Sequence, residues 1–141
     1  MFLLDTNVLS EWVKPRPNLG VVAWLAEADE DRIFISVITL AELRFGVDQL
    51  APGRRRTRLD TWLREELTGR FEDRILPIDG PVADACGMLL ARGEARGRPI
   101  ATMDAFIAAT TMVHRLALVT RNTGDFETLV DTVVNPWAGE P

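Results

Sequence analysis

Short apolar runs alternate along the chain with longer stretches of helical period, the pattern of strands joined by crossover helices in a parallel α/β sheet. Five runs read as strands: Phe2 to Leu4, Ile33 to Val37, Ile75 to Ile78, Leu116 to Thr120 and Thr132 to Asn135. Between them Val21, Val22, Trp24, Leu25 and Ala28 fall on one helical face, and Leu59, Trp62, Leu63 and Leu67 on a second. Val82, Ala85, Cys86 and Leu89 mark a third. From Ala105 to Val113 almost every position is apolar or small, which predicts a helix buried nearly all round against the centre of the sheet. Breakers punctuate the pattern: Lys14-Pro15-Arg16-Pro17-Asn18 ends a short early helix, and Ala51-Pro52-Gly53 ends one that begins near Thr39. Asp79-Gly80-Pro81 sets a proline just inside a helix start. The tail from Asn135 to Pro141 reads as the end of an edge strand followed by a frayed terminus.

With 141 residues and no linker, repeat or low-complexity tract, the chain is expected to be a single domain over residues 1–141. Its 47% hydrophobic and 26% charged residues and mean hydropathy of +0.03 are those of a soluble globular domain. No run approaches a membrane span and the N-terminus does not read as a signal peptide, so the expected location is the cytoplasm. The net charge of −5 argues against an indiscriminate nucleic-acid coat. Scarcity excludes more: one cysteine and one histidine cannot build a thiolate zinc cluster or an imidazole pair. Ser10 and Ser36 sit in no nucleophile elbow, and no phosphate-binding glycine loop occurs.

What remains is carboxylate chemistry. Most of the 21 acids lie among other charges, but four do not. Asp5 closes the first strand, Glu42 follows the second, Asp104 interrupts the least polar helix, and Asp125 follows the fourth strand. In an open parallel sheet, ligands bind beyond the carboxyl ends of the strands, and all four acids map to that rim. Carboxylates brought together there repel unless a cation neutralises them, and oxygen-only donors select a hard ion, Mg²⁺ or Mn²⁺. Each acid also has a local explanation: Thr39-x-x-Glu42 is a capping-box spacing, Asp104 suits the positive end of a helix, Asp5 suits a helix cap and Asp125 an Asx turn. Asp79 also ends a strand, but Gly80-Pro81 assigns it to helix capping.

The elements Leu4-Asp5-Thr6-Asn7, Ser36 to Gly46, Asp104 to Thr110 and Thr120-Arg121-Asn122-Thr123-Gly124-Asp125-Phe126, in that order, resemble a PIN domain, the ribonuclease fold of VapC-type toxins. The closing Asn135-Pro136-Trp137 is similar to the FitB-like branch. The resemblance implies a three-layer α/β/α fold with a five-stranded parallel sheet in order 3-2-1-4-5. It implies that Asp5, Glu42, Asp104 and Asp125 form the catalytic, Mg²⁺-binding cluster, Asp5 and Asp104 most directly, with Thr6, Asn7, Thr120 and Asn122 as polar supports around them. It further implies a homodimer, and a small DNA-binding antitoxin whose tail occupies the active-site groove. The expected activity is endoribonuclease: water activated by the metal attacks phosphorus and the 3′ oxygen leaves, giving 5′-phosphate and 3′-hydroxyl ends. No histidine base is required, and His114 reads as a helix C-terminal residue.

RNA must still approach an acidic protein. Arg54, Arg55, Arg56 and Arg58 form the dense basic run, with Arg64 and Arg70 beyond it, and Arg92, Arg96 and Arg98 form a second group. Either group suits phosphate contact or a solvated helix face paired with Asp60, Glu65 and Glu66. Trp24 and Trp62 fit core faces, whereas Trp12 is a candidate for dimer or antitoxin contact. Two other functions compete: a hydrolase of small phosphate esters built on Asp5, where the expected second acid of an Asp-x-Asp pair is Asn7, and a non-catalytic acidic binding module.

Overall fold

Along the inner strands, alternate side chains go to opposite faces, as the period of two requires. Leu4, Ile33, Ile35 and Val119 enter one buried cluster, while Leu3 and Leu118 enter the other. The computed structural model describes residues 1–137. Its strands are β1 (Phe2–Leu4), β2 (Ile33–Ser36), β3 (Ile75–Leu76), β4 (Ala117–Val119) and β5 (Val133–Val134), all parallel, in the order β3-β2-β1-β4-β5. β1 is therefore central, paired with β2 through Phe2 and Ile33 and with β4 through Leu4 and Val119.

The helices are α1 (Thr6–Trp12), α2 (Leu19–Glu27), α3 (Val37–Asp48), α4 (Arg54–Thr61), α5 (Thr68–Arg70), α6 (Gly80–Ala95), α7 (Thr102–Val113) and α8 (Thr123–Phe126). A π-helical stretch, Trp62–Leu67, joins α4 to α5 and buries Leu63 and Leu67. Val8 and Leu9 of α1, Val21 of α2 and Leu43 and Val47 of α3 share the first cluster with Leu63, Leu67 and Trp137. Val82, Cys86 and Leu89 of α6 and four α7 residues, Ala105, Ile107, Ala108 and Ala109, fill the second. The result is the expected three-layer α/β/α architecture. Cys86 is buried, and burial pushes its thiol pKa up, which keeps it protonated and inert.

Several boundaries differ from the sequence reading. β2 stops at Ser36, and Val37 already belongs to α3, because the Ser36 hydroxyl caps the helix by accepting from the Ile38 amide at 3.0 Å. The strands at Ile75, Leu116 and Thr132 are each shorter than the apolar runs that announced them. Val22 faces solvent, because α2 buries only Val21 fully. The last turn of α7 emerges, leaving Met112 and Val113 exposed. Trp137 is buried, so the tail is packed as far as that residue, and the expected frayed stretch from Ala138 to Pro141 lies outside the described residues. Trp12 is covered from within the chain by the Arg70 guanidinium, 4.5 Å from its ring centre.

Candidate active site

Asp5 leaves the carboxyl end of the central strand and begins α1, and both facts fix its side chain. Its amide continues the β1–β4 ladder to the Val119 carbonyl at 2.9 Å, and Oδ1 accepts from the Thr6 amide at 2.7 Å as the helix cap. The other oxygen, Oδ2, accepts from the fully buried Thr120 hydroxyl at 2.8 Å. That hydroxyl in turn accepts from the Asn122 amide at 3.0 Å and from Asn7 Nδ2 at 3.3 Å. Asn7 completes the brace by donating to Asp5 Oδ2 at 3.4 Å and accepting from the Arg121 amide. The cap expected of Asp5 and the ligand expected of Asp5 are thus one arrangement.

Glu42 is not held by a capping box. α3 is capped by Ser36, and Thr39 is buried inside the helix rather than standing before it. Instead, the Thr6 hydroxyl donates to Glu42 Oε1 at 2.6 Å, with the Thr39 hydroxyl 3.2 Å from the same Thr6 oxygen. Adjacent residues Asp5 and Thr6 therefore tie the ends of β1 and α3 together. Asp104 lies half-buried in the first turn of α7, a helix start with no side-chain cap, so its dipole-favoured position and its place in the cluster coincide. Asp125 lies in α8, exposed, where a short helix rather than an Asx turn follows Asn122.

The electrostatics join these groups in series. Burial raises the Asp5 pKa to about 6; the hydrogen bonds from Thr120 and Thr6 oppose the rise, and the charges of Glu42 and Asp104 add to it. Burial and the charges of Glu42 and Asp125 raise Asp104 above the usual carboxylate range. No ion pair engages any of the four acids among the described residues. Three of them, Asp5, Glu42 and Asp104, line a cavity of about 330 Å³, whereas Asp125 lines an adjoining groove of about 790 Å³ that Asp104 also borders.

A bound cation is the group this donor set fits: oxygen donors of one sign, one of them buried and held at both oxygens, with no protein cation paired to them. No cluster of three or more acidic, histidine or cysteine side chains among the described residues forms a ready-made metal cage. A small hard ion that keeps several of its waters needs only one or two carboxylates directly.

Sequence reasoning missed four further residues that line the cavity, Glu11, Lys14, Arg121 and Trp137. Glu11 is buried on α1 and accepts from Lys14 Nζ at 3.0 Å and from the Asn18 amide at 3.1 Å. Burial works to raise its pKa, but the Lys14 ammonium, the Asn18 amide and the Trp137 indole together hold it below the usual range. Arg121 lies over the Trp137 ring, 5.6 Å from its centre. The signal was present in Glu11, an acid at an inward position of a short helix, three residues before Lys14.

The arginines are dispersed. Arg64 pairs with Asp60 at 2.6 Å, and Arg70 with Glu30, which commits both to the fold. Arg55 and Arg58 line a largely apolar groove with Leu43, Val47, Leu59 and Trp62, which reaches Glu42 and Ser10 at the acidic cavity. Arg56 donates to the Leu50 carbonyl, and Arg54 is exposed at the start of α4. His114 caps the far end of α7 from Asp104, ten residues or about 15 Å along the helix, and takes no part in the site.

A PIN domain family model matches residues 2–130. Toxin FitB of Neisseria gonorrhoeae is 42% identical over 137 residues, which cover 97% of this chain and 99% of that protein. VapC ribonuclease Y4jK of Sinorhizobium fredii is 36% identical over 97% of this chain and 98% of its own. Among solved structures, FitAcB from Neisseria gonorrhoeae superposes with a TM-score of 0.90 at 42% identity, covering 98% of this chain and 99% of that one. A toxin-antitoxin complex from Klebsiella pneumoniae gives 0.74 at 28% identity, over 97% and 98%.

Proposed function

The chain belongs to the PIN-domain family, and on that premise we propose that it is the toxin of a toxin–antitoxin pair, an endoribonuclease acting as one unit over residues 1–141 with Mg²⁺ at its acidic cavity. The observation that carries this reading is the buried Asp5 carboxylate at the end of the central strand, raised in pKa to about 6 by burial and by the charges of Glu42 and Asp104, with no ion pair to it among the described residues. PIN-domain nucleases depend in general on a divalent metal, and Mg²⁺ is the ion best suited to hydrated binding through a few carboxylates. Mn²⁺ would substitute.

Asp5 and Asp104 would hold the ion, and Glu42 and Asp125 would complete the site directly or through water. Bound there, the ion would supply charge neutralisation at the scissile phosphate and lower the pKa of water. The protein contributes orientation. Thr120 and the Thr6 amide fix both oxygens of Asp5, Thr6 fixes Glu42, and Asn7 and Asn122 hold Thr120. Lys14 and Arg121, which line the same cavity, would supply positive charge to a phosphate seated over the acids, with Glu11 paired to Lys14 and Trp137 beneath Arg121. RNA phosphates would also meet Arg54, Arg55, Arg56 and Arg58 on the Glu42 side.

The partner is an antitoxin with a DNA-binding half. Its tail would lay apolar side chains in the groove of Leu43, Val47, Leu59 and Trp62 and close the acidic cavity that this groove adjoins. We assign a homodimer and a cytoplasmic location on the family's general behaviour; no described helix is long and apolar enough to cross a membrane. The phosphate-ester alternative loses its ground at Asn7, whose amide braces Asp5 and Thr120 rather than standing in for a second acid.

The test is cleavage of single-stranded RNA by the purified protein in Mg²⁺, with product ends mapped. Cleavage leaving 5′-phosphates, lost in EDTA and in Asp104→Asn, is expected. RNA left intact while a small aryl phosphate is hydrolysed would replace this reading with the phosphatase one.

A further inference from the structure

The groove beside the acidic cavity is larger than the cavity and carries charge of both signs. Its acidic members are Asp104, Asp125 and Glu127; its basic members are Arg92, Arg96 and Arg98. The three arginines are exposed, and their guanidinium groups make no ion pair or hydrogen bond among the described residues. They come from the last turn of α6 and the turn that follows it, whereas Asp125 and Glu127 come from α8 and its end. One wall is therefore basic and the other acidic, and Asp104 belongs to both groove and cavity.

The basic wall is built rather than loose. The chain folds back onto α6 so closely that a Cβ on Gly93 would lie 2.8 Å from the Arg98 carbonyl oxygen and 3.0 Å from Ile100 Cγ1. The Arg98 amide donates to the Gly93 carbonyl at 2.9 Å, and the Gly97 amide donates to Glu94 at 3.1 Å. Gly97 takes a left-handed backbone, φ +68°, which makes the reversal possible without strain. Two glycines thus hold Arg92, Arg96 and Arg98 on one side of a groove that opens at Asp104.

We infer that this groove is a binding site for single-stranded RNA flanking the scissile bond, with its phosphates on Arg92, Arg96 and Arg98. The inference rests on the nuclease reading above for the scissile bond, but not for the binding. Charge complementarity favours a polyanion: the unpaired arginines are the groups a phosphate chain neutralises, and planar guanidinium groups match phosphate oxygens bidentately. A strand lying along them is led to Asp104, where the acidic cavity begins. The α4 arginines border a different groove, which meets the cavity at Glu42 rather than at Asp104.

The test uses the full chain carrying Arg92→Ala, Arg96→Ala and Arg98→Ala together, all exposed positions whose loss leaves the core intact. Binding of a fluorescently labelled single-stranded RNA is followed by anisotropy in EDTA, and KM and kcat are measured in Mg²⁺ on the same RNA and on a dinucleotide too short to occupy the groove. The expected result is RNA binding and KM weakened about tenfold or more, kcat and dinucleotide cleavage within about twofold of the parent, and a log–log salt slope shallower by about 2, as three fewer phosphate contacts require. The corresponding triple lysine variant should recover most of the affinity. Unchanged RNA affinity and salt slope would overturn the assignment. The two readings separate: a parent protein that binds RNA through these arginines but never cleaves it sinks the nuclease reading alone. One that cleaves RNA, with the triple variant its equal, sinks this inference alone.

Discussion

The fully buried Thr120 hydroxyl donates to Asp5 Oδ2 at 2.8 Å, joining the carboxyl ends of neighbouring strands β4 and β1 at the acidic site. Thr120 thereby fixes the orientation of a carboxylate it cannot neutralise. Thr120→Val keeps the shape but removes the donor and strands the Asn122 amide and Asn7. Loss of such a support lowers metal affinity or activity about 10- to 100-fold. Thr120→Ser should stay within a few-fold of the parent. Metal titrations of RNA cleavage check this, and equal half-saturation in all three proteins would dismiss the role.

Asp5 stores a cost in the metal-free protein. Its folded pKa of about 6 stands above the ordinary 3.8, so the contribution of this one group to stability is greatest below 3.8, falls as the pH rises, and carries the full charging penalty above about 6. The shift corresponds to about 3 kcal/mol at most. Asp5→Asn retains a cap and removes the charge, so in EDTA at neutral pH the variant should melt a few degrees higher than the parent while cleaving nothing. Divalent metal should raise the melting point of the parent and not of the variant. A parent that outlasts the variant in EDTA would contradict the penalty.

Glu11 behaves in the opposite sense. Its pKa lies below the ordinary 4.5, so it contributes stability that is present above that value and is lost as the pH falls through its lower folded pKa. The melting-point difference between the parent and Glu11→Gln should be constant near neutrality and close below about pH 4.5. A gap that persists in acid would mean that packing, not the charge facing Lys14, is what the variant removes.

Gly93→Ala tests the close approach of α6 and the arginine turn. The added Cβ meets backbone at 2.8 Å, and backbone cannot swing aside as a side-chain tip does. A loss of about 1–3 kcal/mol by denaturant titration is expected, the usual cost of overpacking. Gly87→Ala on the same helix, where nothing lies within 4 Å, should be neutral or slightly stabilising. A Gly93→Ala variant as stable as Gly87→Ala would show that the turn gives way to the added Cβ at no cost.

The strands and the acidic rim were legible because they depend on two robust signals, short apolar runs between helical stretches and acids placed where a strand should end, whereas the strand order came from the resemblance to PIN domains. Boundaries were less so. Ser36-Val37-Ile38 continues a β-branched run without a break, and only the Ser36 hydroxyl turning back to the Ile38 amide makes it a helix start. The same error produced the false capping box at Thr39 and Glu42, since a cap position is defined by where the helix begins. The lining residues Glu11, Lys14, Arg121 and Trp137 were not legible because they are scattered from α1 to the tail and meet only through tertiary packing. The two arginine groups looked equivalent in sequence. They separate in the fold because α4 presents Arg55 and Arg58 beside apolar side chains, and α6 presents its group beside Asp104.

Trp137 is 6% exposed and walls the acidic cavity, whereas Met1, at the other end of β1 from Asp5, is 56% exposed. The two ends of the chain are therefore unequal handles. A purification tag or fluorescent fusion placed after Pro141 is separated by only four residues from a side chain that lines the acidic cavity, so loss of activity in such a fusion says nothing about the enzyme. Fusions at Met1 keep the bulk on the opposite rim of the sheet, and they are the ones on which the substitutions above should be compared.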